Sequence, residues 1–229
     1  MTDLDNVPEE EAPVEEMPPE EVEEVEDEEA EPAPRAIDPA FAYIILLILA
    51  LLGLTNLAAD VRHTLLWSLL ALVGLLAIIL DKVSIEAPNV RNLLIGLGFG
   101  AIVGVPLMAV GAPQLQRISL SVFGRLPDSA VFQVLAFTMP LAETLYFRGA
   151  FQAARGLIFA SAAGAVWSAA LFFPQLEVLK FPFVAFVIAL SFLIANFVYS
   201  YVRERFGLFA SWSCQIAVNL LLLFVVRFL

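Results

Sequence analysis

The residues of this chain that are best placed to do chemistry are a glutamate and an arginine inside an apolar stretch. They are Glu143 and Arg148, in the segment ETLYFRG. A carboxylate at membrane depth is costly, about 2.5–3.5 kcal/mol at a helix centre on insertion scales, and such residues mark functional sites by default. The pair therefore indicates a candidate site within a helical bundle.

Two amide side chains are spaced to join this pair. Gln215 and Asn219 are four residues apart, so they share one helix face. A buried carboxylate needs hydrogen-bond donors, and Arg148 and both amides can donate. The amides can equally serve as hydrogen bonds between helices, worth about 0.6 kcal/mol each in membranes. The other polar residues in or beside the apolar segments around the site are Thr144, Ser168, Gln175, Asn196, Ser200, Ser211 and Ser213.

The composition is that of an integral membrane protein. Of the 229 residues, 60% are hydrophobic, whereas soluble domains are about 45–50% apolar. A run of about 20 apolar residues is long enough to cross a bilayer as a helix. The sequence therefore predicts an all-α, polytopic bundle of about seven spans, at Phe41–Ala59, Thr64–Leu80, Leu93–Val110, Ser129–Phe147, Leu157–Phe173, Phe181–Val202 and Leu208–Val226.

The third predicted span carries glycines at a helical spacing. Gly96, Gly100 and Gly104 lie four residues apart on one face, which permits close packing of another helix. We expect this face to pack inside the bundle rather than to form a dimer. The stretch from Gly111 to Asp128 is predicted to be a longer connection, of which Leu115–Phe123 can lie in the membrane interface.

Charge divides the chain into two domains. Residues 1–38 hold 17 of the 24 acidic residues and one of the 12 basic residues. Such a segment, rich in Glu and Pro, cannot bury enough apolar surface to order itself, so we predict a disordered acidic tail at 1–38 and a membrane domain at 39–229. The tail is either a solvated spacer or a contact for a basic partner.

No metal or cofactor is expected. The chain has one cysteine, Cys214, and one histidine, His63, so it cannot supply the cluster of His and Cys ligands typical of zinc. We expect membrane lipids as partners, with a membrane protein or peptide as a further candidate, and no nucleic acid.

Orientation is predicted from the basic residues that flank the spans. With a cytoplasmic N-terminus, seven Lys and Arg residues lie on the inner side and five on the outer side. We therefore expect a protein of the plasma (inner) membrane whose N-terminus is cytoplasmic. The acidic tail agrees with this orientation, because its many charges would otherwise have to cross the membrane.

The segment at about 131–226 resembles the CPBP family of CAAX-protease and bacteriocin-processing membrane proteins, the Abi or Rce1-like glutamic intramembrane proteases. That family has three motifs on successive helices: Glu-Glu-x-x-x-Arg, Phe-x-x-x-His, and His-x-x-x-Asn or Asp. In this chain the first motif keeps Glu143 and Arg148 but has Thr144 as its second position. The second motif has Gln175 at its histidine position, and the third has Gln215 and Asn219.

The resemblance implies an intramembrane endopeptidase in which the motif-one glutamate and the motif-two histidine activate water. It also implies that Gln215 and Asn219 stand where the family stabilises the oxyanion, and that Arg148 holds the glutamate in place. Both histidine positions are glutamine here, and glutamine keeps hydrogen bonding while it loses titration. A positioned general acid–base contributes about 10²–10⁴ in rate, so the substitutions predict a pseudoprotease.

Three functions therefore compete. The first is a non-catalytic CPBP-like protein that binds a peptide, a lipid or a membrane-protein partner through the former active-site cavity. The second is a weakly active CAAX-type endopeptidase that uses Glu143 as its base. The third is a small transporter or ion-binding subunit, in which Glu143 is a proton or cation site and Arg148 is its counter-ion. The third function gives no reason for the Gln-x-x-x-Asn spacing of Gln215 and Asn219.

Overall fold

The computed structural model describes residues 38–54, 56–176 and 182–229, except for the side chains of Ala59, Asp60 and Gln175. All regular elements of this part of the chain are helices, and several α-helices continue directly into π-helical turns. The elements in chain order are α1 (Pro39–Ile48) with a π turn (Leu49–Gly53), α2 (Ala59–Leu80), α3 (Val90–Phe123), α4 (Asp128–Gln133) with a π turn (Val134–Thr138), α5 (Met139–Glu143) with a longer π segment (Thr144–Phe151), α6 (Gln152–Leu176), α7 (Pro182–Phe206), and α8 (Leu208–Asn219) with a π turn (Leu220–Phe224) and a final 3₁₀ turn (Val225–Phe228).

Five helical stretches are long and apolar enough to cross a membrane, as expected for an integral membrane protein. They are Val61–Leu80, Val90–Phe123, Asp128–Pro174, Pro182–Phe206 and Leu208–Phe228, and a shorter apolar helix covers Pro39–Gly53. The all-α fold is thus confirmed, with five candidate membrane-spanning helices in the described part of the chain, whereas the number of seven spans stays a prediction. The predicted acidic tail lies outside the described residues apart from Asp38.

The third helix is longer than the sequence predicted. The stretch that we expected to be a connection from Gly111 onward continues α3 as far as Phe123, across Pro106 and Pro113. The reason is packing: Leu115, Ile118 and Val122 follow one another at helical spacing and face the interior of the bundle. Burial of this apolar stripe maintains the helix where its prolines would weaken it.

The glycine face of α3 packs inside the bundle, as the sequence predicts, and its partner there is α8. A Cβ atom on Gly96 would lie 2.0 Å from the carbonyl oxygen of Ala210, and one on Gly100 would lie 2.5 Å from that of Cys214. A Cβ on Gly104 would meet the side chain of Leu221 at 2.7 Å. Glycine is therefore required at these positions, and the close contact fixes the helix that carries Gln215.

The start of α1 is tied to the segment that follows Glu143. The carboxylate of Asp38 caps the helix by accepting from the Ala40 N–H at 2.9 Å, and it pairs with Arg155 at 2.9 Å. These two interactions, the backbone bond first, hold the pKa of Asp38 below its ordinary value. The hydroxyl of Tyr146 donates to the carbonyl of Pro39 at 2.6 Å. The first apolar helix is thereby attached beside the candidate site.

We predict that Gly96→Ala destabilises the bundle and that Gly98→Ala does not. The added methyl group at position 96 would strike backbone atoms of α8, and overpacking of this kind costs about 1–3 kcal/mol. At Gly98 a Cβ meets nothing within 4 Å, so the same change is a matched control. Unfolding of the purified protein in mixed micelles measures both effects. Equal stability of the two variants would contradict the close α3–α8 packing.

Candidate functional site

The carboxylate of Glu143 lies at the end of α5 and receives a hydrogen bond at each oxygen. Gln215 Nε2, on α8, donates to Oε2 at 2.6 Å, and Trp67 Nε1, on α2, donates to Oε1 at 3.3 Å. All three side chains are at most 2% exposed. Hydrogen bonds to a charged group contribute about 1.5–3 kcal/mol. Three helices therefore meet at this one carboxylate.

A π-helical segment starts directly after Glu143 and carries Arg148. Thr144–Phe151 is π-helical, and the Gln152 N–H bonds to the carbonyl of Phe147, five residues back. In this geometry residues five apart lie one turn above each other, so the Arg148 side chain reaches back to Glu143. Its Nη1 donates to the backbone carbonyl of Glu143 at 3.2 Å. Single π turns inside α-helices are frequent at functional sites.

Arg148 is fully buried and contacts Glu143 through the backbone rather than through an ion pair. Within the described residues the ion pairs are Asp38–Arg155 and Asp128–Arg227. The predicted donation from Arg148 to the Glu143 carboxylate is thus replaced by donation to its carbonyl. The predicted fourth span ended at Phe147, one residue before Arg148, whereas the helical structure continues through Arg148 to Phe151. The π segment draws Arg148 into the bundle.

The guanidinium of Arg148 has its own set of partners. Nη2 donates to Asn196 Oδ1, on α7, at 2.6 Å. The ring of Tyr199 lies 5.1 Å from the guanidinium carbon, which is a favourable cation–π distance. Room for the amide comes from Gly164 on α6, where a Cβ would lie 2.2 Å from Asn196 Oδ1. Asn196 and Gly164 thus act together to accommodate a buried charge.

The other predicted site residues are placed as follows. Thr144 Oγ1 donates to Gln215 Oε1 at 3.5 Å, so both ends of that amide have partners on the segment of Glu143. Asn219 donates to the carbonyl of Leu135 at 3.4 Å rather than to the carboxylate. The side chain of Gln175 lies outside the described residues. Of the two predicted amide donors, Gln215 alone reaches Glu143 directly.

A cavity of about 230 Å³ borders this cluster. Its polar lining residues include Glu143, Gln215, Asn219, Asn196 and Ser168, and most of its other lining residues are apolar residues of α3, α6, α7 and α8. Leu107 and Ile194, which also line the cavity, are 45% and 52% exposed. The cavity therefore reaches the lipid-facing surface between α3 and α7. A largely apolar pocket with a few convergent polar groups is the usual form of a small-ligand site.

The chemistry available at this cavity is limited by its residue types. The chain has a single histidine, His63, which lies on α2 with Nε2 3.3 Å from the carbonyl of Leu171 and does not line the cavity. No group of three His, Cys, Asp or Glu side chains that could hold a metal ion occurs among the described residues. The cavity can bind a ligand by hydrogen bonds and apolar contacts, while its one carboxylate is already engaged by protein donors.

The roles of two residues at this site, Trp67 and Asn196, could not be predicted from the sequence. For Trp67 the sequence indicates only that a buried indole N–H needs an acceptor. No sequence pattern predicts that α2 contacts α5. Asn196 was visible as a polar residue in an apolar span, but its partner could not be assigned. Both residues act through contacts between distant helices, and their partners are 76 and 48 positions away in the sequence.

Comparison with models of protein families, with curated proteins and with solved structures finds no match for this chain. The site is therefore interpreted from its own geometry.

We predict that Asn196→Leu destabilises the protein by about 1.5–3 kcal/mol, the range for a hydrogen bond to a charged group. The change removes the 2.6 Å acceptor of the buried Arg148. Gly164→Ala should have an effect in the same direction, because it displaces the same amide without altering a polar group. Ser191→Leu is the control on α7, since Ser191 is exposed and bonds within its own helix. Unfolding in mixed micelles measures all three, and an Asn196→Leu variant as stable as Ser191→Leu would contradict the assignment.

Proposed function

We propose that this chain is a CPBP-like integral membrane protein that has become a non-catalytic pseudoprotease and binds a ligand through the former active-site cavity. One observation carries the proposal: the carboxylate at the family's base position is held by Gln215 at 2.6 Å and by Trp67 at 3.3 Å. An imidazole at position 215 is replaced here by an amide that donates to the base. A general base must instead present an oxygen to the proton that it abstracts.

The cavity supports binding of an amphipathic ligand. Its lining is mostly apolar and includes a few amide and hydroxyl groups, which suits a chain with one hydrogen-bonding end. A lipid or an apolar peptide has this character and can enter sideways past Leu107 and Ile194. The predicted CAAX-type substrates of the family belong to the same chemical class. A membrane-protein partner would have to insert a comparable segment.

The topology that we propose has seven crossings with a cytoplasmic N-terminus in the plasma membrane. Asp128–Pro174 spans 47 residues, about twice what one crossing needs, and Gly156 interrupts it with a left-handed φ of 80°. If Asp128–Pro174 makes two crossings, one before and one after Gly156, the five stretches provide six crossings. Pro39–Gly53 then provides the seventh. The basic residues favour the inner side for the N-terminus, which would leave the acidic segment at 1–37 in the cytoplasm as a disordered tail available to a basic partner, whereas Asp38 caps α1.

The decisive assay for catalysis uses purified protein in nanodiscs with farnesylated and unmodified peptides, analysed by mass spectrometry. We expect no cleavage above the level of Glu143→Gln, because the carboxylate is engaged and the chain lacks both motif histidines. Cleavage that is lost in Glu143→Gln would overturn the proposal and favour the weakly active endopeptidase.

The binding arm of the same experiment uses a photoreactive farnesylated peptide and a photoreactive phospholipid. Ala195→Trp should abolish crosslinking at the cavity, since Ala195 lines it. Leu193→Trp is the matched control, because Leu193 is 41% exposed on the same helix and does not line the cavity. Crosslinking that Ala195→Trp leaves unchanged would exclude the cavity as the binding site.

A further inference from the structure

Three buried polar atoms between the π segment and α7 have no hydrogen-bond partner among the described residues. They are Arg148 Nε, Gln152 Oε1 and Ser200 Oγ. The first is a donor, the second is an acceptor and the third is both. Buried polar groups of this kind are normally satisfied by ordered water, which makes two to four hydrogen bonds. The chemistry of the three atoms is therefore complementary to water.

The contacts around these atoms place them close together. Arg148, in the π segment, and Gln152, the first residue of α6, are four residues apart on continuous helical chain, and Asn196 and Ser200 are four apart on the facing helix α7. Arg148 Nη2 donates to Asn196 Oδ1 at 2.6 Å, and Gln152 Nε2 donates to the carbonyl of Ser200 at 3.0 Å. The three unpartnered atoms thus lie within about one helical turn between the same two helical stretches.

Each end of this cluster adjoins a cavity. On one side Asn196 and Tyr199 line the cavity that contains Glu143. On the other side a second cavity, of about 260 Å³, is lined by Gly149, Arg203 and Glu86 among others. Asn196, Ser200 and Arg203 are spaced by four and three residues, so they follow one face of α7. This face runs from the first cavity, past the unpartnered atoms, to the second.

The second cavity lies where the membrane-spanning helices end. The end of α7, the start of α8 and the loop after α2 supply its lining. Its residues include the charged side chains Glu86, Arg203, Glu204 and Arg205, which suit contact with bulk water. Glu86, Glu204 and Arg205 are exposed, and Arg203 is half-buried. This cavity therefore forms a polar mouth at the edge of the bundle.

We propose that ordered water fills a path from this mouth, past Ser200, Gln152 and Arg148, to the cavity at Glu143. The path gives the interior carboxylate access to water and protons from the side on which α7 ends. It opens separately from the apolar entrance between α3 and α7, so a ligand and water reach the site by different routes. The inference does not depend on whether the cavity belongs to a pseudoprotease.

Cysteine accessibility tests the path directly. Cys214 is the one cysteine of the chain, so Cys214→Ala gives a background without thiols. In it, Ser200→Cys places a thiol on the path and Val202→Cys is the control, because both native residues are fully buried on α7. Arg205→Cys, labelled with a membrane-impermeant methanethiosulfonate, identifies the side of the mouth. The probe for the buried positions is Ag⁺, which is small and reacts with the thiolate that forms beside water.

In proteoliposomes of known orientation we expect Ag⁺ to protect Ser200→Cys from later alkylation at least an order of magnitude faster than Val202→Cys. Protection should occur when Ag⁺ is added on the side where Arg205→Cys reacts. Equal rates for the two positions, or access from the opposite side alone, would overturn the proposal.

A second measurement needs no variant. Radiolytic hydroxyl labelling of the intact chain should oxidise Tyr199, which lies beside Arg148, several-fold more than Tyr146. The two tyrosines are 4% and 0% exposed, so a difference reports internal water rather than surface. Equal oxidation would contradict a water-filled path.

Discussion

A carboxylate enclosed by apolar helices must be supplied with hydrogen-bond donors, and the arrangement of this bundle follows from that need. Glu143 draws one donor from α2 and one from α8, at its two oxygens. These helices can approach because small residues line the contacts. Gly96 and Gly100 admit α8 to α3, and Gly74 admits the backbone of Tyr146 to α2. The close helix contacts at the glycines thus help to bring the hydrogen-bond donors within reach of Glu143.

The buried arginine extends the same requirement to α7, which carries both Asn196 and Tyr199. Arg148 is held by the carbonyl of Glu143, by Asn196 and by the face of Tyr199. An isolated buried charge is strongly unfavourable, whereas a nearby opposite charge and hydrogen bonds offset the cost. Removal of Glu143 would therefore leave Arg148 without its counter-charge. This dependence gives a structural reason for Glu143 and Arg148 to be retained together.

The sequence predicted those parts of the structure that depend on local patterns. Apolar runs located the helices, the spacing of Gly96, Gly100 and Gly104 predicted a packing face, and the pair Gln215 and Asn219 pointed to the interior. It could not predict contacts that depend on register between distant helices. Asn219 turns to Leu135 instead of Glu143, and Trp67 reaches the carboxylate from α2.

The π segment is the main reason why the site differs from expectation. Spacing alone placed Arg148 five residues beyond Glu143, near the end of a span. A segment with bonds between residues five apart brings that side chain back over Glu143 and into the core. No residue type specifies such a turn. Tyr146, Phe147 and Phe151 of the segment pack in the main apolar cluster, which stabilises the segment in its place.

The central claim is that Gln215 now serves Glu143 as a fixed donor, and a double-mutant cycle tests it most directly. The cycle compares Glu143→Leu, Gln215→Leu and the double variant by unfolding in mixed micelles. We predict a favourable coupling energy of about 1.5–3 kcal/mol, as for a hydrogen bond to a charged group. The control cycle of Glu143→Leu with Asn219→Leu should give no more than about 0.6 kcal/mol, the average for hydrogen bonds within membranes. A coupling near zero for Glu143 and Gln215, or a larger one for Glu143 and Asn219, would contradict the account.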